Sequence, residues 1–245
     1  MNKLVLIFKS PDLRKKVLMV LFWLFVFRLF AAIPIPGIDA SRLQVFFESN
    51  QLFGFLNIFS GGGLSNLSIM MLGVGPYITA TIIMQLLTII FPNLKKAYYE
   101  EGAAGQAKFN RISRLITVPL AMLQGYGFLN LLMSQGVIPR LDLFSIVTDV
   151  LIITGGSVFL MWIGEILSEY KIGNGISLLI LAGIVSALPQ TISSAFLNYT
   201  PAVLPTYLLF TVISVIVIAG VVFVNEGERK IPVSYAKQVR GMKVY

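Results

Sequence analysis

A chain of 245 residues that is 56% hydrophobic and only 12% charged, with a mean hydropathy of +0.84, departs from soluble domains, where roughly a quarter of residues are charged. It reads as an integral membrane protein. Cysteine and histidine are both absent, which removes disulfides, thiolate metal sites, cysteine nucleophiles and the commonest general base, so neither an enzyme nor a bound cofactor is expected.

The first 16 residues carry Lys3, Lys9, Arg14, Lys15 and Lys16 ahead of an apolar run at 17–33. That run is long, and Pro34-Ile35-Pro36-Gly37 follows it in place of a small-residue cleavage site, so it reads as a retained first helix rather than a signal peptide. A long loop ends in Gly61-Gly62-Gly63 and a short apolar piece, Leu64 to Leu72. About 20 apolar residues are needed to cross a bilayer, and this piece has too few. Gly73-Val74-Gly75-Pro76 then breaks the chain before a second run, 74–91, which can just span. Irregular backbone at membrane depth survives only where protein or a water-filled cavity satisfies its N–H and C=O groups. A broken apolar hairpin beside a full span therefore points to a pathway through the membrane.

Further spans are expected at 112–133, 145–163, 175–188 and 203–224, with 225–245 beginning a polar loop. All should be helical, because a lipid-exposed backbone must satisfy its own hydrogen bonds. The fifth is the shortest. It begins after Gly173-Asn174-Gly175 and meets Pro189, so either its helix continues toward Pro201 or its neighbours bury it and it need not match the bilayer. No charge-rich linker divides the chain, which reads as one bundle.

The net charge of +8 is distributed by side. Sixteen Lys and Arg fall before the first span or after the second, fourth and sixth, including Lys95, Lys96, Lys108, Arg111, Arg114 and Lys171; the opposite loops hold only Arg42 and Arg140. The positive-inside rule then places both termini in the cytoplasm. Basic residues at membrane edges are chiefly topology signals, and docking of a ribosome or motor is the sharper alternative.

On the second span as a helix, Val74, Ile78, Thr81 and Gln85 share one face, which begins branched-aliphatic and ends polar. Ile176, Ile180 and Ile184 share a face of the fifth. Helix packing and a hydrophobic constriction that resists wetting are both consistent with these stripes. Ionisable residues inside spans are few: Arg28 can snorkel or pair within the bundle, and Asp149 is expected near the outer end of the fourth span, within reach of water. Gly173-Asn174-Gly175 reads as a helix start that allows close packing. No GxxxxGK[ST] phosphate loop occurs.

FRLFAAIPIPGID (27–39), FSGGGLSNLSIMMLGVGPYITATIIMQLLT (59–88), LMWIGEILSEYKIGNGISLLILAGIV (160–185) and ERKIPVSYAKQVRGMKVY (228–245) together resemble the SecY family, the central subunits of the bacterial protein-translocation channel. The resemblance implies an all-α membrane bundle, the N-terminal half of an inverted-repeat channel with a re-entrant plug at 53–72. Plug positions would include Phe59, Ser60, Gly61, Gly62, Gly63, Leu64, Ile69 and Met70. The family's pore ring maps onto Val74, Ile78, Ile176 and Ile180, with valine at 74 where isoleucine is also used. Its lateral gate maps near Thr81, Gln85 and Gln124, and its motor and ribosome docking loop onto Arg229, Lys230, Lys237, Arg240 and Lys243.

The implied partners are SecE- and SecG-type subunits, the SecA motor, the ribosome, signal sequences, unfolded polypeptides and the lipid bilayer. The implied location is the bacterial plasma membrane. The family has ten spans, and this sequence reaches Tyr245 in the loop after the sixth, so a chain or segment supplying the C-terminal spans is a further expected partner. The competing expectations are a small-solute or ion transporter with a broken-helix substrate site, and a truncation without function.

Overall fold

The computed structural model describes residues 10–36, 57, 63–64, 67–197, 199–201 and 204–227, with the backbone of 239–240 and 243–244. The chain divides into two compact units, Met1–Thr191 and Ile192–Tyr245. Within the first, helix α1 (Pro11–Ala31) starts ahead of the expected span. Ser10 Oγ accepts the Leu13 N–H at 3.4 Å, Pro11 presets the first helical φ, and Asp12 lies at the positive end of the helix dipole. Helix α2 (Gly75–Ile90) opens on Gly75-Pro76 and stops at Phe91, whose extended backbone is what the following Pro92 favours. Helix α3 (Pro92–Tyr99) leaves it at a bend of 114°.

Helix α4 (Gly102–Ser134) is longer than the 112–133 run and continues through Pro119. Helix α5 (Leu143–Glu169) is followed by α6 (Gly175–Leu197), which runs through Pro189. Of the two readings of the fifth apolar segment, the continued helix is the one observed. Helix α6 carries the chain into the second unit, which also holds α7 (Leu204–Asn225) and a two-residue hairpin of β1 (Val239–Arg240) with β2 (Lys243–Val244).

Among the described residues, α4, α5, α6 and α7 are each long and apolar enough to cross a membrane, and α2 with α3 adds a fifth if the bent pair counts as one span. Six were expected from the sequence. The expected first span, 17–33, falls on α1, whose 21 residues also hold Arg14, Lys15, Lys16 and Arg28. No residue of α7 is buried, although it is the most apolar of these helices. Contact with acyl chains asks for no protein cover over such side chains.

In the first unit the packed faces are narrow stripes. Helix α2 buries Pro76, Ala80, Met84 and Thr88, and α4 buries Ser113, Thr117, Ala121, Gly125 and Leu129. Small side chains let membrane helices approach closely. The two buried hydroxyls of α4 are satisfied within the helix: Ser113 donates to the Phe109 carbonyl at 3.0 Å and Thr117 to that of Ser113 at 2.8 Å. Helix α5 buries Asp149, Ile153, Gly156, Leu160, Ile163 and Leu167. The alternating three- and four-residue steps place Asp149 on that packed face, where it is 5% exposed. This corrects the expectation of a water-accessible carboxylate.

The segment before α2 lies between two apolar clusters. Leu64, Leu67 and Met71 join Leu129, Leu132 and Ile153, while Met70 and Val74 join Phe27, Leu160 and Leu179. Its backbone groups find partners without a helix. Ile35 N–H donates to the Leu67 carbonyl at 2.8 Å and Ile69 N–H to that of Ile33 at 3.0 Å, an antiparallel bridge centred on Pro34 and Ser68. Ser68 is fully buried, donates its N–H to the Gly63 carbonyl and accepts the Met70 N–H on Oγ at 3.2 Å. Those bonds are what make non-helical backbone tolerable among apolar side chains.

Candidate functional site

The start of α6 sets one side of the site. Asn174 Oδ1 accepts the N–H groups of Ile176 at 3.0 Å and Ser177 at 3.2 Å, capping the helix. Ser168 Oγ accepts the Gly175 N–H and donates to the Gly164 carbonyl, each at 2.9 Å. A Cβ on Gly175 would collide with that same carbonyl. Glycine is therefore required for the backbones of α5 and α6 to touch, as the close-packed helix start read from Gly173-Asn174-Gly175 anticipated.

This contact brings the four ring candidates into one apolar cluster. Val74 is buried, and Ile78, Ile176 and Ile180 are half-buried against Leu160, Ile163 and Leu179. Because α2 packs through its Pro76–Thr88 stripe, the Ile78, Thr81 and Gln85 face is left to line open space. That space is a pair of clefts. A larger one, about 760 Å³, is lined by Thr81, Gln85, Asn110, Arg114, Glu165 and Asn174, among others. A smaller one, about 350 Å³, is lined by Leu64, Met71, Leu72, Val74, Gln124 and Phe128 with a few neighbours. Ile78 and Ile180 line both, and so form the boundary between them.

Among the plug candidates, Gly63, Leu64 and Met70 are buried and Ile69 is half-buried, whereas Phe59, Ser60, Gly61 and Gly62 lie outside the described residues. The lateral-gate candidates lie on α2 and α4. Thr81 and Gln85 line the larger cleft and Gln124 the smaller. Arg229, Lys230 and Lys237 lie outside the described residues, and Arg240 and Lys243 are described only as backbone partners in the hairpin.

Sequence reasoning missed an ion pair in the larger cleft, Arg114 Nε to Glu165 Oε1 at 2.5 Å, joining α4 to α5. The available signal was Glu165 itself, a carboxylate closing a long apolar run, where an ionisable group is costly without a partner.

The SecY family model matches residues 68–245. The chain belongs to the SecY family. Relatives named protein translocase subunit SecY include that of Streptomyces galbus, 40% identical over 253 residues, and that of Streptomyces scabiei, 38% identical over the same length; each alignment covers 97% of this chain and 58% of the relative. The Corynebacterium glutamicum relative is 38% identical over 258 residues, covering 100% of this chain and 58% of its own. The chain thus spans about 58% of the length of the SecY relatives it matches.

Proposed function

We propose that this chain forms the N-terminal portion of a protein-conducting channel that passes unfolded polypeptides across the plasma membrane and releases apolar segments into it. The observation that carries the reading is the Ile78–Ile180 boundary between a polar cleft and an apolar one. Branched apolar side chains at a narrow point offer nothing to replace an ion's hydration, so they resist ions without hydrogen-bonding to a passing peptide. Val74 and Ile176 extend that ring, and the segment 53–72, of which the candidates Gly63, Leu64, Ile69 and Met70 are described, acts as the plug on its apolar side. The side rich in Lys and Arg faces the cytoplasm, with both termini there.

In this reading Thr81, Gln85 and Gln124 lie along the exit toward lipid. The basic segment from Arg229 to Lys243 receives the SecA motor or the ribosome, and SecE- and SecG-type subunits complete the assembly. The chain is a pore, and its partner supplies the energy. The wall opposite α2 and α6 comes from the part that corresponds to the remaining length of the SecY relatives, on the same chain or another.

The test is reconstitution in proteoliposomes with SecE and SecA, with and without that remaining part taken from a SecY relative. Signal-sequence-dependent movement of a precursor into a protease-protected space is expected only in the complete assembly. Translocation by this chain without the remainder, or no translocation by a correctly assembled whole, would overturn the reading.

A further inference from the structure

Gly125 of α4 and Gly156 of α5 face the segment that precedes α2, whereas Gly155, the neighbour of Gly156, points away from it. A Cβ added to Gly155 would meet nothing within 4 Å. One on Gly125 would lie 3.4 Å from Ile153 Cγ2 and 3.8 Å from Leu72 Cδ1, which is ordinary contact with side-chain ends that can give. One on Gly156 would collide with the carbonyl oxygen of Ile69, lie 2.8 Å from its carbon and 3.4 Å from Met70 Cα. That obstacle is backbone, and the same backbone is already tied by the Ile69 N–H to the Ile33 carbonyl and by the Met70 N–H to Ser68 Oγ. It cannot yield by turning a rotamer. The neighbours of the contact are equally tight, since Met70 and Met71 are both fully buried and belong to different clusters.

We propose that Gly156 is a positioning residue: its missing side chain is the seat on which Ile69 and Met70 rest, and it thereby sets where Met71 and Leu72 stand in the smaller cleft beside the Ile78–Ile180 boundary. The proposal rests on the channel reading only for its consequence, a closed resting pore; the seat itself is a statement about packing. Helix α5 is thus a stop against which the plug's C-terminal stem is fixed, so the stem from Leu67 to Leu72 holds its place relative to α5. Alanine at 156 must push that stem off α5, whereas alanine at 155, with the same gain in helix propensity, must not.

This chain has no cysteine, so an introduced thiol is the one it contributes. In the complete assembly, Met71→Cys is paired with Gly156→Ala or with Gly155→Ala, and the reaction of its thiol with a water-soluble, membrane-impermeant maleimide is timed. Leu167→Cys, at a position fully buried in the other cluster, reports general loosening. The expected result is at least a several-fold faster reaction of the thiol at position 71 with Gly156→Ala, unchanged protection with Gly155→Ala, and protection of the thiol at position 167 in both. Equal protection at position 71 in both backgrounds overturns the proposal, and so does exposure of positions 71 and 167 together.

Hydrogen exchange on the unsubstituted assembly gives a second measurement that needs no variant to fold. The Ile69 and Met70 amides should exchange as slowly as those at the centre of α5, and rapid exchange there with α5 protected overturns the proposal. Resting ion conductance of Gly156→Ala separates the two readings. Exposure at position 71 with a higher conductance supports both the seat and the seal, while exposure without it keeps the seat and removes the seal.

Discussion

The two clefts on either side of Ile78 and Ile180 share α2, α4 and α6; α5 completes the larger and the segment before α2 the smaller. The larger holds the Arg114–Glu165 pair, Asn110, Asn174 and the polar end of the α2 face; the smaller is bounded by Leu64, Met71, Leu72, Val74 and Phe128, with Gln124 and Thr79 as its polar groups. The change occurs along one helix face, from Ile78 to Thr81 to Gln85, in about two turns. A single face can therefore be a wall to water at one end and a wetted surface at the other. What decides between them is the neighbour: the segment before α2 and α4 beside Ile78, the Arg114–Glu165 pair of α4 and α5 beside Gln85.

The comparison is most severely tested by making its boundary polar. Each Ile→Ser exchange removes roughly 2 kcal/mol of apolar side-chain character. In the complete assembly, Ile78→Ser with Ile180→Ser should therefore raise resting ion conductance by about tenfold or more. Planar-bilayer recordings check this, with polar changes at the exposed Leu86 and Ile90 of α2 as controls. Unchanged conductance in a correctly assembled double variant would mean that the two clefts are not separated by this pair.

A smaller effect should follow from loosening the α6 side alone. Gly175→Val forces a side chain onto the Gly164 carbonyl and should cost about 1–3 kcal/mol of stability, the usual range for overpacking. Denaturant unfolding in detergent measures it, and Gly173→Val, where an added Cβ meets nothing within 4 Å, should cost far less. Equal losses at the two positions would show that the close approach of α5 and α6 is not what sets Ile176 and Ile180.

The least effect belongs to the ion pair. Arg114 is 47% exposed and Glu165 23%, so solvent screens them, and a double-mutant cycle of Arg114→Ala with Glu165→Gln should give a coupling of about 1 kcal/mol or less. It should shrink as salt is added. A coupling of about 3 kcal/mol or more would place the pair in a dry interior and end the description of the larger cleft as wetted.

Much of this was legible in the residues. The break at Gly73-Val74-Gly75-Pro76 announced a helix start because Pro favours the first helical turn. The Val74–Ile78–Thr81–Gln85 face followed from helical spacing, and Gly173-Asn174-Gly175 from capping and close packing. Other features were not. Asp149 seemed wet from its place near the end of an apolar run, yet its register on α5 puts it on the packed face. Pro119 lies inside the helix expected over 112–133, and the helix runs through it; at Pro189 the residues left two readings open, and the continued helix is the one present.

The sequence by itself determined the solvent this protein belongs in, the rough number of its apolar segments and the places where helices begin, because composition, periodicity and capping are local properties. Tertiary structure alone decided which stripe of each helix is packed and which lines a cleft. It alone seated Ile69 against Gly156 and paired Arg114 with Glu165. In an apolar environment nearly every face of a helix is apolar enough to be a packing face, so the pattern of hydrophobic residues no longer marks the inside. Close approach at small residues does, and which small residues meet depends on helices far apart in the chain.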